Sequence, residues 1–438
     1  MKLQKHDAAH LLRRFAFGAT PSEVSRFTEL NRQQAITQLF SAGIVEDTGL
    51  DLDQVGDISM TEAQDHWLAH LFDSLPNVRD RQLFFWHDHF SIIGRKVRSA
   101  ELSWQAHNDM RRLAMGDFAP LLSAISFSPA MIVHLDNQTN VAGNPQENFA
   151  RELLELHTVG VGNFSESDVI TMAQAWTGHG LSGSRSAGDL ASFFYEARHD
   201  SSVNTMFGRE ASWSAHAALE ELTTGVKAMD TARYLVAKVL SYYVGDHVTQ
   251  DVVNDLAVMF RDSNMNMREL LRIVATLDEF WAPEARYCRV RNPLEYTIGL
   301  SRAVGVRPEE TRLRGSMSRM GMDSSSLPAS TAGAHTPTGS PRRSHGPRNS
   351  GCGPFQSQSK RTGSWQGCRR LTQPLNYSND SACTSHFRER PTLCRNGLQT
   401  TSHFSTSPAC CRWKRSGSPD TCRRCLSLIH ISEPTRPY

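Results

Sequence analysis

The sequence predicts an all-α protein, a multi-helix orthogonal bundle with one small β-hairpin-like excursion near residues 190–208. Three observations carry this. Apolar residues recur at three- and four-residue spacing from the first helix to about residue 304. Cap signals flank those stretches, as in Thr20-Pro21-Ser22-Glu23, a capping box with Pro at the first helical position. The helical period lapses for long only between Gly178 and Ser214, where Gly and Ser cluster over Gly180–Gly188.

In chain order, Ala8–Phe17 carries Leu11, Leu12, Phe15 and Ala16, with Gly18 as its stop. The capping box opens a helix through Phe27 and Leu30, and Gln33–Phe40 forms the next. Residues 43–58 read as a loop. Thr61–Leu75 presents Trp67, Leu68, Leu71 and Phe72 on one side, and Arg79–Phe90 follows with Leu83, Phe84, Trp86 and Phe90. A long helix over Ser99–Met115 precedes shorter ones at Phe118–Ile125 and Ala130–Leu135. Asn144–Val159 is helical, and Ser165–Trp176 opens on the box Ser165-x-x-Asp168. Ala191–Ala197 reads as a short strand pairing with Thr205–Phe207. Helices resume at Asp230–Val244, Gln250–Asp262, Met267–Trp281 and Pro293–Val304.

Composition changes abruptly at Met322–Asp323. Eight of the nine cysteines follow that point, and the apolar period ends there. Residues 7–322 therefore read as the folded helical domain and 323–438 as a frame-shifted, disordered tail. Of the 16 cations after Met322 only Lys360 and Lys414 are lysines, against 5 acidic residues. Such an Arg-heavy bias suits an off-frame reading of GC-rich sequence. Leu426–Arg436 also resembles a translated sequencing adapter, which makes 426–438 adapter-like. Cys422 and Cys425 form a C-x-x-C, but no second spaced pair completes a zinc set.

The overall charge of +2 hides opposite halves: residues 1–322 hold 31 basic against 40 acidic side chains. Nucleic acid is therefore not expected as a partner of that part, and its partners stay unknown. No stretch approaches the roughly 20 apolar residues of a membrane span. Asp7 and His10 interrupt any signal-peptide core, so the chain as given reads as cytoplasmic by default. A lone Cys288 before residue 322 allows no internal disulfide there. No phosphate-binding loop, dinucleotide fingerprint, Gly-x-Ser-x-Gly elbow or His-Glu-x-x-His is present in 1–322.

The motifs Ala9-His10-Leu11-Leu12-Arg13-Arg14, Phe85-Trp86-His87-Asp88-His89-Phe90 and Leu135-Asp136-Asn137 belong together. So do Glu147–His157, Ala175-Trp176-Thr177-Gly178, His199-Asp200 and Asn292-Pro293-Leu294-Glu295-Tyr296. This set resembles a bacterial family known as domain of unknown function 1800, over residues 7–322. The resemblance implies a helical bacterial protein and brings no activity or cofactor with it. The family often has Lys where Asn204 stands. It usually continues with Pro-Pro-x-Val-x-Gly-Trp. One frame over, codons compatible with Ser324–Gly333 read LFQPPSVDGW. Loss of that continuation is expected to leave apolar faces uncovered on the last helices.

Glu147–His157, read as a helix, lines Asn148, Arg151, Glu152 and Glu155 along one polar face. One reading is a buried carboxylate cluster held by Arg151 and completed by histidines, able to bind a divalent metal and support a metal-assisted hydrolase. Its candidate metal ligands are His87, His89 and His157, and its catalytic candidates are Glu152, Glu155, His199 and Asp200. On a helix, His87 and His89 cannot reach one site, and Glu155 and His157 point apart. The other reading, which the residues favour, is a scaffold or interaction protein in which Glu147–Arg151 and its neighbours lock helices together. His199-Asp200 then forms either a pocket rim or an Asx-type turn.

Overall fold

Helices begin where the sequence supplies a cap. The computed structural model describes residues 1–41, 59–184, 189–308 and 313–322, all within the unit Met1–His345. The Thr20 hydroxyl accepts from the Glu23 amide at 3.2 Å, and the Glu23 carboxylate accepts from the Thr20 amide at 2.7 Å. Ser59–Glu62 and Ser165–Asp168 form the same reciprocal box. Each cap satisfies donors that a helix start leaves without partners.

The first helices are α1 (Lys5–Phe15), α2 (Pro21–Thr28), α3 (Arg32–Ser41), α4 (Met60–Asp73) and α5 (Val78–Phe90). After the single turn α6 (Gly94–Val97) come α7 (Ala100–Leu113), α8 (Phe118–Ser126) and α9 (Pro129–His134). Helix α10 (Glu147–Glu152) runs on as a π-helix over Leu153–His157, and α11 (Glu166–Ala175) follows. Two hairpins interrupt the helices. β1 (His179–Ser182) pairs with β2 (Ala191–Phe194), and β3 (Val203–Met206) with β4 (Arg209–Ser212), all antiparallel. The chain closes with α12 (Ala215–Thr223), α13 (Ala228–Tyr243), α14 (Gln250–Asp262), α15 (Met267–Thr276), α16 (Asp278–Trp281), α17 (Pro293–Val304) and α18 (Leu313–Arg319).

The all-α class with a small β excursion is what forms. Three expectations need correction. The strand at Ala191 pairs with His179–Ser182, not with Thr205–Phe207, and the latter belongs to a second hairpin. Phe207 (φ 52°) and Gly208 (φ 78°) are both left-handed and close that hairpin in two residues. The Asp168 carboxylate, accepting from the Phe207 amide at 2.7 Å, holds a phenylalanine in a conformation its type disfavours. The helix expected over Met267–Trp281 breaks at the extended Leu277 (ψ 139°). The helix expected over Asn144–Val159 starts at Glu147 and widens at Leu153. The expected loop at 43–58, part of the Gly/Ser cluster (185–188) and the whole tail 323–438 lie outside the described residues.

The core is aromatic: Trp67, Trp86, Trp104 and Trp176 are buried with Phe15, Phe84, Phe90 and Phe118. Trp86 stacks between Phe90 (5.7 Å) and Phe118 (5.7 Å). Such a core encloses helix C-termini whose last carbonyls need donors from elsewhere. Side chains from distant helices supply them. His10 bonds the Phe280 carbonyl at 2.9 Å, Trp86 the Ala114 carbonyl at 3.0 Å, and Arg14 the Val244 and Ala285 carbonyls at 3.1 and 2.9 Å. Arg302 covers the end of α4 through the carbonyls of Leu71, Phe72 and Ser74, at 3.3, 2.6 and 2.7 Å.

On α17, Tyr296, Leu300 and Val304 are exposed at four-residue spacing and form an apolar stripe on one face. Among the described residues no helix is long and apolar enough to cross a membrane.

Candidate functional site

The π-helix Leu153–His157 sits where the most polar motif of the sequence ends. A π turn is uncommon and holds only if its displaced carbonyls find partners. Four do. Leu153 O accepts from the Thr158 hydroxyl (2.7 Å), Leu154 O from the Gly160 amide (3.0 Å), Leu156 O from the Tyr234 hydroxyl (3.0 Å) and His157 O from His89 Nε2 (3.0 Å). Gly160 is left-handed (φ 77°), and a Cβ there would lie 2.6 Å from the Tyr234 ring. Glycine is thus required for Tyr234 to reach the turn.

His89 and His157 meet here, with ring centroids 5.9 Å apart and the Phe90 ring against His157 at 5.3 Å. Because a carbonyl accepts from Nε2, the proton of neutral His89 sits on Nε2, and the buried Nδ1 is left bare. His89 therefore acts as a cap on the π turn. Burial first, then the charges of Lys238 and His157, hold its pKa well below the ordinary imidazole value. Burial, then Lys238 and His134, puts His157 at about 3.

His87 goes elsewhere, as its place on a helix requires. Its Nε2 bonds His107 Nδ1 at 2.9 Å, and the pair lies between Trp67 and Trp104. Whichever ring donates, one acceptor and one donor remain, and His87 Nδ1 and His107 Nε2 are indeed buried without partners. Burial alone lowers His87 to about 3. His107 was not singled out by the sequence, since a histidine inside an amphipathic helix gives no signal of its partner.

The carboxylates form no cluster around Arg151. That guanidinium lies at the surface and pairs with Glu147 (3.1 Å) and Glu166 (2.7 Å). The i,i+4 pair with Glu147 is as expected, and Glu166 takes the place assigned to Glu152 and Glu155. Glu152 and Glu155 are half-buried and make no ion pair among the described residues. Burial and then Glu155 raise the pKa of Glu152. Burial, then Glu155 and Glu152, pushes Tyr234 up to about 12. Lys238, one turn along α13, has its ammonium 5.3 Å from the Tyr234 ring centroid. Neither Lys238 nor Tyr234 was flagged by the sequence, where they read as one face of an ordinary amphipathic helix.

His199 and Asp200 lie against Thr177 instead. His199 Nδ1 is 3.0 Å from the Thr177 carbonyl, and the Thr177 hydroxyl accepts from the Asp200 amide at 2.8 Å. The Asp200 carboxylate accepts from the Ser202 amide at 3.0 Å, an Asx-type turn. From the other side Asn137 donates to the His179 carbonyl (2.9 Å) and Asn140 to the Ala173 carbonyl (2.9 Å). Gly178 is left-handed (φ 80°), and a Cβ would sit 2.7 Å from the Tyr195 carbonyl oxygen. Three motifs thus close into one hydrogen-bonded knot.

A His–Asp pair outside every motif, His70 and Asp80, stands beside a small recess lined by Gly18, Ser74, Asn77, Arg302 and Asp80 itself. His70 Nε2 is 3.1 Å from an Asp80 oxygen and also 3.1 Å from Ser74 Oγ. A nucleophile–base–acid relay needs the serine and the aspartate on different ring nitrogens. Here the serine lies closer to the Nε2 that faces Asp80 than to Nδ1 (3.1 against 3.4 Å), and its hydroxyl donates to the His70 carbonyl at 2.7 Å. Among the described residues no three His, Cys, Asp or Glu side chains gather in a way that could hold a metal ion.

A family model described as "Protein of unknown function (DUF1800)" matches residues 10–331. No curated protein and no solved structure gives a significant match.

Proposed function

The chain belongs to the DUF1800 family, whose function is unknown, and we propose that its helical part is a scaffold in which the polar motifs bind one another. One observation carries this reading: side chains of the motifs end on backbone carbonyls or ion-pair partners in other motifs and helices. His10 bonds Phe280, His89 bonds His157, Asn137 bonds His179, and Arg81 pairs with Glu295 at 2.5 Å. The atom used in each of these bonds is committed to the fold, and turning it to a substrate would cost that contact. The metal-assisted hydrolase has no comparable support: His89 and His157 meet, but His87 turns to His107, and among the described residues no third ligand joins them.

Thermal unfolding of Asn137→Ala and His199→Ala, with and without chelator, tests the reading. Both variants should melt lower than the parent, and chelator should move none of the melting curves. A stoichiometric metal in the purified chain, released by His199→Ala or stripped by chelator with a fall in melting temperature, overturns it.

A further inference from the structure

Five lysines lie among the described residues, and four of them are in ordinary settings. Lys2 pairs with Glu29, Lys96 with Asp136 at 2.8 Å, and Lys227 with Asp230 at 3.2 Å, while Lys5 is exposed. Lys238 alone is half-buried with no ion pair and no hydrogen bond among the described residues. Its neighbour at hand is the Tyr234 ring. The titratable groups facing it are Asp88 and His89 from α5 and His157 from the π turn. Ammonium groups are seldom buried unless paired, because the charge loses its water.

We propose that Lys238 is an acyl-modification site, the amine that takes an acyl group from a thioester before the other described lysines do. The neutral nitrogen attacks the thioester carbonyl carbon. A C–N bond forms, the C–S bond breaks, and the thiolate leaves with the proton that nitrogen gives up. The product amide carries no charge, so the reaction removes a buried cation instead of breaking an ion pair, as it would at Lys96 or Lys227. Burial, opposed by Asp88, brings the Lys238 pKa down to about 8. Near that pH about half of it is free amine, against under ~1% of an ordinary lysine. The inference goes beyond the scaffold reading and does not depend on it.

Trace labelling of the folded chain with isotopic acetic anhydride across pH, mapped by peptide mass spectrometry, is the test. An S-acetyl thioester serves as a second reagent. Lys238 should label several-fold faster than Lys2, Lys5, Lys96 and Lys227 near pH 8, with its half-maximum there. The advantage should vanish in urea, and Lys238→Arg should leave labelling at Lys5 unchanged. Labelling of Lys238 no faster than Lys5, protection at every pH at which Lys5 reacts, or an advantage that persists in urea each overturns the proposal.

Discussion

Two polar regions of the same core treat their charges in opposite ways. Around Arg81 the buried guanidinium has a carboxylate partner. The guanidinium pairs with Glu295, lies over the Tyr242 ring at 4.5 Å, and shares that ring with Arg289. Asn292 caps the helix that presents Glu295. Around the π turn, Glu152, Glu155 and Lys238 are half-buried with no ion pair among the described residues. The difference teaches that burial of a charge has two uses here. The first region spends it on locking α5 to α17. The second leaves groups without ion-pair partners, two of which, Glu152 and Lys238, have a shifted proton affinity.

The largest effect expected is from acid. His10 and His134 sit at about 4, and His87 and His157 at about 3, all buried and neutral at pH 7. Their folded pKa lies below the unfolded value, so the unfolded chain binds more protons below about pH 6.5. Stability is therefore lost as pH falls through that value and levels off only near the folded pKa. Each histidine contributes about 1 kcal/mol between roughly pH 6.5 and 5.5, on the order of 4 kcal/mol for the four. Urea unfolding across that interval measures the loss. A flat stability profile contradicts neutral burial of these rings.

Next comes the matched region. Glu295→Ala leaves Arg81 buried without its partner and should cost about 3 to 5 kcal/mol in urea unfolding. A loss below about 1 kcal/mol would place the pair among exposed bridges and erase the contrast.

How much of this was legible depended on distance along the chain. The boxes at Thr20–Glu23 and Ser165–Asp168 are local, three residues wide, and stand where the sequence puts them. The pair Glu147–Arg151, four residues apart, formed as well. The π turn was hidden because two of its four carbonyl partners, Tyr234 and His89, lie 78 and 68 residues away. His10 and Phe280 are 270 residues apart, so no window of sequence shows that the histidine ends on a helix terminus. The β3–β4 turn was hidden for another reason. Its first residue is Phe207, and the support for that left-handed phenylalanine comes from Asp168 on α11. Local signals set the elements, and remote donors set how they end.

The smallest effect sharpens the comparison most. Glu155→Gln removes a carboxylate that pairs with nothing among the described residues and that raises the pKa of Glu152 and of Tyr234. Stability should change by no more than about 0.5 kcal/mol, as for a surface substitution without a named mechanism. Tyr234 should titrate at lower pH than its present value of about 12, since one of the charges opposing its ionisation is gone. Ultraviolet titration of the phenolate, with Tyr234→Phe as the blank, reads that shift. If Glu155→Gln instead costs as much as Glu295→Ala, then Glu155 has a partner that matters to the fold. The π turn would then be a second lock rather than the place where this protein keeps charged groups without ion-pair partners.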